Sequence, residues 1–223
     1  MEKTKNEIVE ILKNRTDYLY KCDCLTRKSY LSDCVDYILA NEISEDTKLK
    51  DIGMITRIES YNVPRNERDL NDETNRAEEW LVINIFQQQN KLKSSKEYFG
   101  EILNYQVPLK NSQKDKCGKI DFISKRGNEL LLVEIKAEES KESILKALLE
   151  IQTYSQIVDI EKLKKDFVLE NEIEIKKVVA IFKDTIAHEQ LKEDKVMELI
   201  KRFNIEVLVL DLKCILDLNI EKL

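Results

Sequence analysis

The chain has 223 residues, of which 36% are charged, and 37 basic residues against 43 acidic ones give a formal net charge of −6. This length is sufficient for one large domain or for a smaller domain with an additional segment. The only histidine, His188, excludes hydrolytic sites built on two imidazole groups. With 4 glycines and 2 prolines, the chain is also unsuited to glycine-rich phosphate loops and long flexible linkers. Hydrolytic chemistry would therefore rest on carboxylates, lysine or cysteine.

The five cysteines are an odd number, which argues against a secreted disulfide framework. Cys22, Cys24 and Cys34 lack a clear fourth ligand, so simple burial is favoured over zinc or iron–sulfur binding. No segment has the length and composition of a membrane span, and the first residues contain no apolar run of signal-peptide type. We therefore expect a cytoplasmic protein without a membrane partner.

Residues 1–70 are predicted to form a helical N-terminal region. Apolar residues recur there at helical spacing in three places, namely Ile8 to Leu12, Cys34 to Leu39 and Ile52 to Ile58. Pro64 and the polar run that follows it interrupt the pattern and mark a boundary, which leaves residues 71–223 as a second unit. The N-terminal region could contact DNA, hold a dimer together or bind another partner.

The second unit is predicted to alternate helices and strands. In chain order we expect a helix over 71–91, strands over 105–109, 119–125 and 129–137, a helix over 141–158, a strand over 173–182, a helix over 188–203 and a strand over 205–210. The third strand contains the unbroken apolar run 130–133, which is typical of a central strand covered on both faces. We expect Trp80 to fill core space between the first helix and the sheet, and His188 to lie at a helix start on the surface.

A two-residue turn at Gly127-Asn128 would join the second and third strands as a hairpin. Counting back from this turn places Asp121 opposite Glu134, and strand alternation puts Lys136 on the same face as Glu134. Burying three charged side chains is costly unless they pair with each other or with a cation. A buried salt bridge explains such a cluster, but two carboxylates beside a lysine also suit a magnesium site with an activated water.

A basic segment leads into this hairpin. Residues 91–126 contain nine basic residues against four acidic ones in an otherwise acidic protein. Such a segment is either a solvated surface or a site for phosphate groups. The candidate nucleic-acid contacts in it are Lys110, Lys114, Lys116, Lys119, Lys125 and Arg126.

With Gly118-x-x-Asp121 on one strand and Glu134-Ile135-Lys136 at the end of the next, residues 71 to about 210 resemble the PD-(D/E)XK nuclease superfamily. Ile120 stands where many members have proline. The resemblance implies an α/β, restriction-endonuclease-like fold, with a mixed central sheet flanked by helices and preceded here by the helical N-terminal segment.

The resemblance also implies roles for individual residues. Asp121, Glu134 and the carbonyl of Ile135 would bind Mg²⁺, for which Mn²⁺ can substitute, and Lys136 would assist the attacking water. Members often add a glutamate from the preceding helix, for which Glu78 is the first choice and Glu79 the competitor. Many also carry a Q-x-x-x-Y helix, which this chain matches imperfectly with Gln152 and Tyr154, since Glu150 lies four residues before the tyrosine. The favoured alternative for both residues is ordinary helix packing or a surface position.

The resulting expectation is an Mg²⁺-dependent nuclease, such as an endonuclease, acting on DNA. A homodimer would suit duplex cleavage, because two strands need two sites. Two alternatives remain open. One is a non-catalytic nucleic-acid-binding or assembly module that retains the fold, and the other is a nuclease that cuts RNA with the same residues.

Overall fold

The protein is described here from a computed structural model. The described residues are 3–15, 17–41, 55, 57–64, 77–90, 93–111, 115, 117–212 and 218–222. They form an α/β structure around one six-stranded mixed sheet with the strands in sequence order. The α/β class and the mixed sheet flanked by helices agree with the prediction from the sequence.

The described residues of the N-terminal part form mostly short helices. Its elements are α1 (Lys5–Lys13), three 3₁₀ turns (Leu19–Lys21, Asp23–Thr26 and Lys28–Tyr30) and α2 (Leu31–Ala40). Thr4 and Glu7 begin α1 with reciprocal side-chain to backbone hydrogen bonds, which satisfy two otherwise unpaired N–H groups. A third helix through Ile55 and Ile58 was predicted, but Ile55 forms a parallel bridge with Val158 and Ile58 is 87% exposed. Ile52 lies outside the described residues.

Among the described residues, two further helices lie between the N-terminal part and the sheet. They are α3 (Ala77–Gln88) and α4 (Lys93–Phe99), and the latter was not predicted. The expected start of the first helix, residues 71–76, lies outside the described part, as does most of the predicted boundary. Trp80 on α3 is 36% exposed, so the expectation that it fills core space is wrong.

The sheet begins with three antiparallel strands, β1 (Glu101–Pro108), β2 (Lys119–Arg126) and β3 (Glu129–Ile135). The predicted hairpin register is confirmed, since Arg126 pairs with Glu129 and Phe122 with Val133. β1 starts four residues earlier than predicted. Its pairing with β2 shifts register between Ile102 and Asn104.

Two crossovers then add parallel strands. Helices α5 (Ile144–Ile157) and α6 (Ile160–Asp166) lead to β4 (Glu174–Phe182), and α7 (Ile186–Gln190) and α8 (Asp194–Phe203) lead to β5 (Ile205–Leu212). The strand β6 (Leu218–Lys222) pairs antiparallel with β5 and was not predicted. One helix was expected over 188–203, but turn residues separate α7 from α8.

Both faces of the sheet are covered. Leu131, Val133 and Ile135 pack with residues of α3 on one face. Leu130 and Leu132 pack with α5, α8 and the N-terminal helices on the other. The alternation predicted for β3 is therefore confirmed, and Glu134 lies on the same face as α5.

Candidate active site

The β2–β3 hairpin brings Asp121, Glu134 and Lys136 together at the open ends of its strands. After the pair Phe122 and Val133, the next residues along the ladder are Asp121 and Glu134. The Asp121 carboxylate accepts a hydrogen bond of 2.8 Å from the N–H of Ile135. The three charged side chains are almost completely buried. The cluster predicted from the hairpin register is therefore present in the structure.

Lys136 is surrounded by carboxylates from four parts of the chain. Its Nζ lies 2.8 Å from Glu134 Oε1, 3.0 Å from Glu142 Oε2, 3.3 Å from Glu150 Oε2 and 3.8 Å from Glu78 Oε1. Glu78 comes from α3, Glu142 from the loop before α5, and Glu150 from α5. These residues and Asp121 form the carboxylate cluster around Lys136.

Burial makes it costly for the deepest carboxylates to ionise. It raises the pKa of Asp121 to about 7 against the opposing effect of the Lys136 ammonium. Burial, together with Asp121 and Glu150, raises the pKa of Glu134 well above its usual value, and burial also raises the pKa of Glu78. The protein therefore holds these groups in surroundings where an added cation would favour their charged forms.

The ammonium of Lys136 behaves differently. Burial opposes its charge, but the surrounding carboxylates outweigh burial and hold the pKa of Lys136 well above its usual value. At neutral pH the side chain is therefore a charged hydrogen-bond donor. It is suited to orienting a water or stabilising a phosphoryl oxygen, and unsuited to accepting a proton.

The carboxylate oxygens of the cluster are donors of the kind that a hard divalent cation prefers. The five carboxylates of the cluster face the ammonium groups of Lys136 and of Lys146, which pairs with Glu142. Ionised together, they carry more negative charge than these two groups neutralise. Among the described residues no group of three histidine, cysteine or acidic side chains is already arranged to hold a metal. Magnesium, however, is usually held by only one or two carboxylates and keeps several waters.

The backbone of Ile135 is turned towards Asp121. Its N–H points towards Asp121 on β2, and the N–H and C=O of one strand residue point to the same side. The Ile135 carbonyl therefore faces the side on which Asp121 lies. Asp121, Glu134 and this carbonyl could hold the cation.

The structure distinguishes the two glutamates at the start of α3. Glu78 lies beside Lys136, and its side chain is 36% exposed. Glu79 lines a neighbouring cavity of about 520 Å³ that also borders Glu78 and Asp121. Glu78 is thus the member of the pair that joins the carboxylate cluster.

Tyr154 reaches the cluster through Glu150. Its hydroxyl donates a hydrogen bond of 2.7 Å to Glu150 Oε1. Burial and the Glu150 charge raise the pKa of Tyr154 well above its usual value, so this hydroxyl remains a donor. Glu150 and Tyr154 are four residues apart and therefore share a helix face.

Gln152, a candidate site residue from the Q-x-x-x-Y pattern, does not reach the cluster, and the alternative of helix packing applies to it. It is two residues from both Glu150 and Tyr154, which turns it to the other side of α5. Its Oε1 accepts a hydrogen bond of 2.6 Å from Lys177 on β4. Burial lowers the pKa of Lys177 to about 8. Gln152 therefore forms a polar contact between α5 and β4.

Gln106 is a site residue that the sequence analysis did not identify. Its Nε2 donates a hydrogen bond of 3.0 Å to Asp121 Oδ1. Its φ of +47° lies in the left-handed region, which a residue with a side chain adopts only at a cost of roughly 1–3 kcal/mol. One polar residue in a strand pattern gives no sign of this contact. Glu142 and Glu150 were also missed as neighbours of Lys136.

The predicted basic contacts fall into two groups. Lys110 and Lys119 line the cavity of about 330 Å³ that contains Asp121, Glu134 and Lys136, and Lys146 joins them there. Lys114 and Lys116 lie outside the described residues.

Lys125 and Arg126 lie at the opposite end of β2, with Arg126 about 16 Å along the strand from Asp121. Arg126 forms ion pairs with Glu129 and Glu206, and Lys125 pairs with Glu170. The structure therefore does not bring them to the site, because they follow Asp121 along a fully extended strand.

Comparison of the chain with protein families, with curated proteins and with solved structures found no match. In the part of the chain that the structure describes, no helix is long and apolar enough to cross a membrane. The chemistry of the carboxylate cluster is therefore the basis on which a function can be argued.

Proposed function

We propose that this protein is a metal-dependent nuclease that hydrolyses phosphodiester bonds in DNA. The observation that carries the proposal is the buried Lys136 ammonium among the carboxylates of Glu78, Glu134, Glu142 and Glu150, beside Asp121. This arrangement supplies oxygen ligands for a cation and a charged donor next to them. The resemblance to the PD-(D/E)XK superfamily and its restriction-endonuclease-like fold supports the same interpretation.

Each residue has a role in the proposed reaction. Asp121, Glu134 and the Ile135 carbonyl hold Mg²⁺ or Mn²⁺, and Glu78 adds negative charge from α3. When bound, the cation makes a water more acidic and offsets negative charge on the phosphate. Lys136 donates a hydrogen bond to the attacking water or to a phosphoryl oxygen, which favours the charge that develops during hydrolysis.

The lysines lining the cavity favour a polyanionic substrate. Lys110, Lys119 and Lys146 line the same cavity as Asp121 and Glu134. A phosphate chain bound by these ammonium groups would place one phosphodiester beside Asp121 and Glu134. For a duplex substrate, we propose that two copies of the chain act on the two strands.

Cleavage assays test the proposal. Plasmid, linear duplex, single-stranded DNA and RNA are incubated with the protein and Mg²⁺ or Mn²⁺. We expect DNA cleavage that Glu134→Ala and Lys136→Ala reduce by roughly 100-fold or more. Glu174→Ala is the matched control, because Glu174 is an exposed acid at the start of β4. Absence of cleavage, or equal cleavage by all variants, would refute the proposal. Preferential cleavage of RNA would show that the substrate is RNA and not DNA.

A second candidate is a binding or assembly module that retains this fold without catalysis. It is favoured by the ion pairs of Lys136, which stabilise the buried charges without any cation. Calorimetry with Mn²⁺ separates the candidates. A metal site predicts binding that Asp121→Asn weakens, whereas a purely structural salt bridge predicts no binding.

A further inference from the structure

The N-terminal segment packs directly behind the carboxylate cluster. Tyr20, in the 3₁₀ turn Leu19–Lys21, is 4% exposed. Its ring meets the ring of Tyr154 edge to face, with centroids 5.6 Å apart and planes at 76°. This geometry is a favourable one for aromatic pairs. An element far from the hairpin in sequence thus touches a residue bound to the cluster.

From Tyr154 the contacts continue into the cluster. The Tyr154 hydroxyl donates to Glu150 Oε1 at 2.7 Å, and Glu150 Oε2 lies 3.3 Å from Lys136 Nζ. Lys136 in turn lies 2.8 Å from Glu134 Oε1. The side chains of Tyr154 and Glu150 therefore connect the Tyr20 ring to the Lys136 ammonium, which is proposed to act on the substrate.

Tyr154 is confined on both sides. A Cβ atom added to Gly118 would lie 2.1 Å from the Tyr154 oxygen, so the hydroxyl already fills the space in front of this glycine. The ring of Tyr20 packs against the ring of Tyr154. Loss of the Tyr20 ring would open space into which Tyr154 could retreat from Glu150.

Tyr20 is itself held by neighbours. Its ring stacks on that of Tyr18, with centroids 5.7 Å apart and planes at 14°. The Lys21 ammonium lies 5.8 Å from the centroid of the Tyr20 ring and 5.5 Å from that of Tyr18. The Tyr18 hydroxyl donates to the carbonyl of Asp115 at 3.4 Å. These contacts fix the ring that faces Tyr154.

We propose that Tyr20 is a positioning residue for the active site. It holds Tyr154 in place, so that the Tyr154 hydroxyl donates to Glu150 and Glu150 keeps Lys136 beside Glu134. This inference rests on the proposed nuclease function for its effect on turnover. It assigns the N-terminal segment a task in assembling the site, beside the DNA, dimer or partner contacts that the sequence leaves open.

The test compares Tyr20→Leu with Tyr20→Phe in the full chain. Tyr30→Leu is the matched control, because Tyr30 is a buried tyrosine of the same segment whose hydroxyl accepts a hydrogen bond from Lys3 N. The proteins are labelled with 3-fluorotyrosine, and the ¹⁹F signal of Tyr154 is assigned by its loss in Tyr154→Phe. DNA cleavage in Mg²⁺ gives kcat and KM for each variant.

We expect Tyr20→Leu to shift the Tyr154 signal and to lower kcat about tenfold with little change in KM. Tyr20→Phe keeps the ring, so its Tyr154 signal and its kcat should match those of wild type. Tyr30→Leu should change neither the Tyr154 signal nor kcat. If Tyr20→Leu does not fold, Tyr20→Met replaces it, because methionine fills irregular space.

Two results would overturn the inference. One is an unchanged Tyr154 signal in Tyr20→Leu or Tyr20→Met, and the other is an equal shift in Tyr30→Leu. The ¹⁹F measurement needs no turnover. A wild-type protein that cuts no nucleic acid would therefore refute the proposed function, while the position of Tyr154 is decided separately.

Discussion

Gly118 shows how closely the backbone just before β2 approaches the side chains of the candidate active site. An alanine Cβ there would lie 2.1 Å from the Tyr154 oxygen, so one of the two must move. We expect Gly118→Ala to displace the Tyr154 hydroxyl from Glu150 and to lower kcat at least tenfold. Steady-state cleavage assays and thermal unfolding provide the measurements.

Gly127→Ala is the control for this change. Gly127 has a φ of +60° but no atom within 4 Å of an added Cβ. Its alanine variant should lose about 1 kcal/mol of stability, as expected for a side chain in the left-handed region, and keep its kcat. Equal activity of Gly118→Ala and wild type would contradict the role given to Tyr154.

Asp121 gives the metal-free protein a predictable pH dependence. Burial raises its pKa to about 7 in the folded state, while the unfolded value lies near 4. Between these pH values the folded state binds a proton that the unfolded state has released. The stabilisation from this protonated group is complete below about pH 4 and is lost as the pH rises through about 7.

Asp121→Asn should therefore reduce the fall in the free energy of unfolding between pH 5 and pH 8. Each unit of the pKa difference corresponds to about 1.4 kcal/mol. Urea unfolding in the presence of EDTA measures the effect, and adding Mg²⁺ at pH 8 should stabilise wild type more than the variant. Identical pH dependence in both proteins would show that Asp121 is not held in the protonated form.

The residues of the site differ in how far the sequence could predict them. Asp121, Glu134 and Lys136 follow from strand alternation and a two-residue turn, which are local rules. The approach of Glu142 and Glu150 to Lys136 depends on how α5 packs against the sheet. The contact from Gln106 depends on an unusual backbone angle. Neither the packing of α5 nor the backbone angle of Gln106 can be predicted from the spacing of polar residues.

At the scale of elements, Val168 occupies an unfavourable position at the end of α6. The N–H groups of Val168 and Leu169 bond to the carbonyls of Lys165 and Lys164, which is the pattern of a helix end closed by a left-handed residue. Val168 has a φ of +54° and is 91% exposed. Glycine normally fills this position, because a β-branched side chain is strained there.

We expect Val168→Gly to raise the free energy of unfolding by about 1 kcal/mol, since relief of strain exceeds the added freedom of the unfolded chain. Chemical denaturation measures the difference. Val168→Ala should gain much less, because alanine retains the Cβ that causes the strain. A destabilised glycine variant would show that the valine is not strained at this helix end.

The elements with strong local signals were predicted best. The hairpin of β2 and β3 has an apolar run, a glycine turn and a defined register, and all three agree with the structure. The break between α7 and α8 was missed because helical spacing continues across residues 191–193. Ile55 was misread as helical, because its bridge to Val158 depends on the position of the end of α5.

At the scale of the whole molecule, the N-terminal helices and the sheet share one hydrophobic core. Ile8, Leu12 and Leu19 are fully buried in the same cluster as Leu130 and Leu132 of β3. A core that crosses the predicted boundary at residue 70 should make unfolding of both parts cooperative. The fluorescence of Trp80, the only tryptophan, reports on α3, while far-UV circular dichroism reports on all helices.

We expect Leu12→Ala to lower the free energy of unfolding by about 2–5 kcal/mol, because it leaves a cavity in this shared core. The fluorescence and circular dichroism transitions should shift together in urea. Ile58→Ala is the control, since Ile58 is 87% exposed and should change stability by less than about 0.5 kcal/mol. A shift confined to one probe would indicate two units that unfold independently.

The outer edge of β1 has a consequence for self-association. Gln89 donates to the carbonyl of Ile102 and accepts from its N–H, and Asn104 donates to the carbonyl of Val63. The Gln89 side chain therefore already engages the N–H and C=O of Ile102, which a strand from another molecule would need for pairing at this edge. Edge-to-edge aggregation through β1 is thereby opposed, and a homodimer formed by extending the sheet at this edge would first have to break these hydrogen bonds.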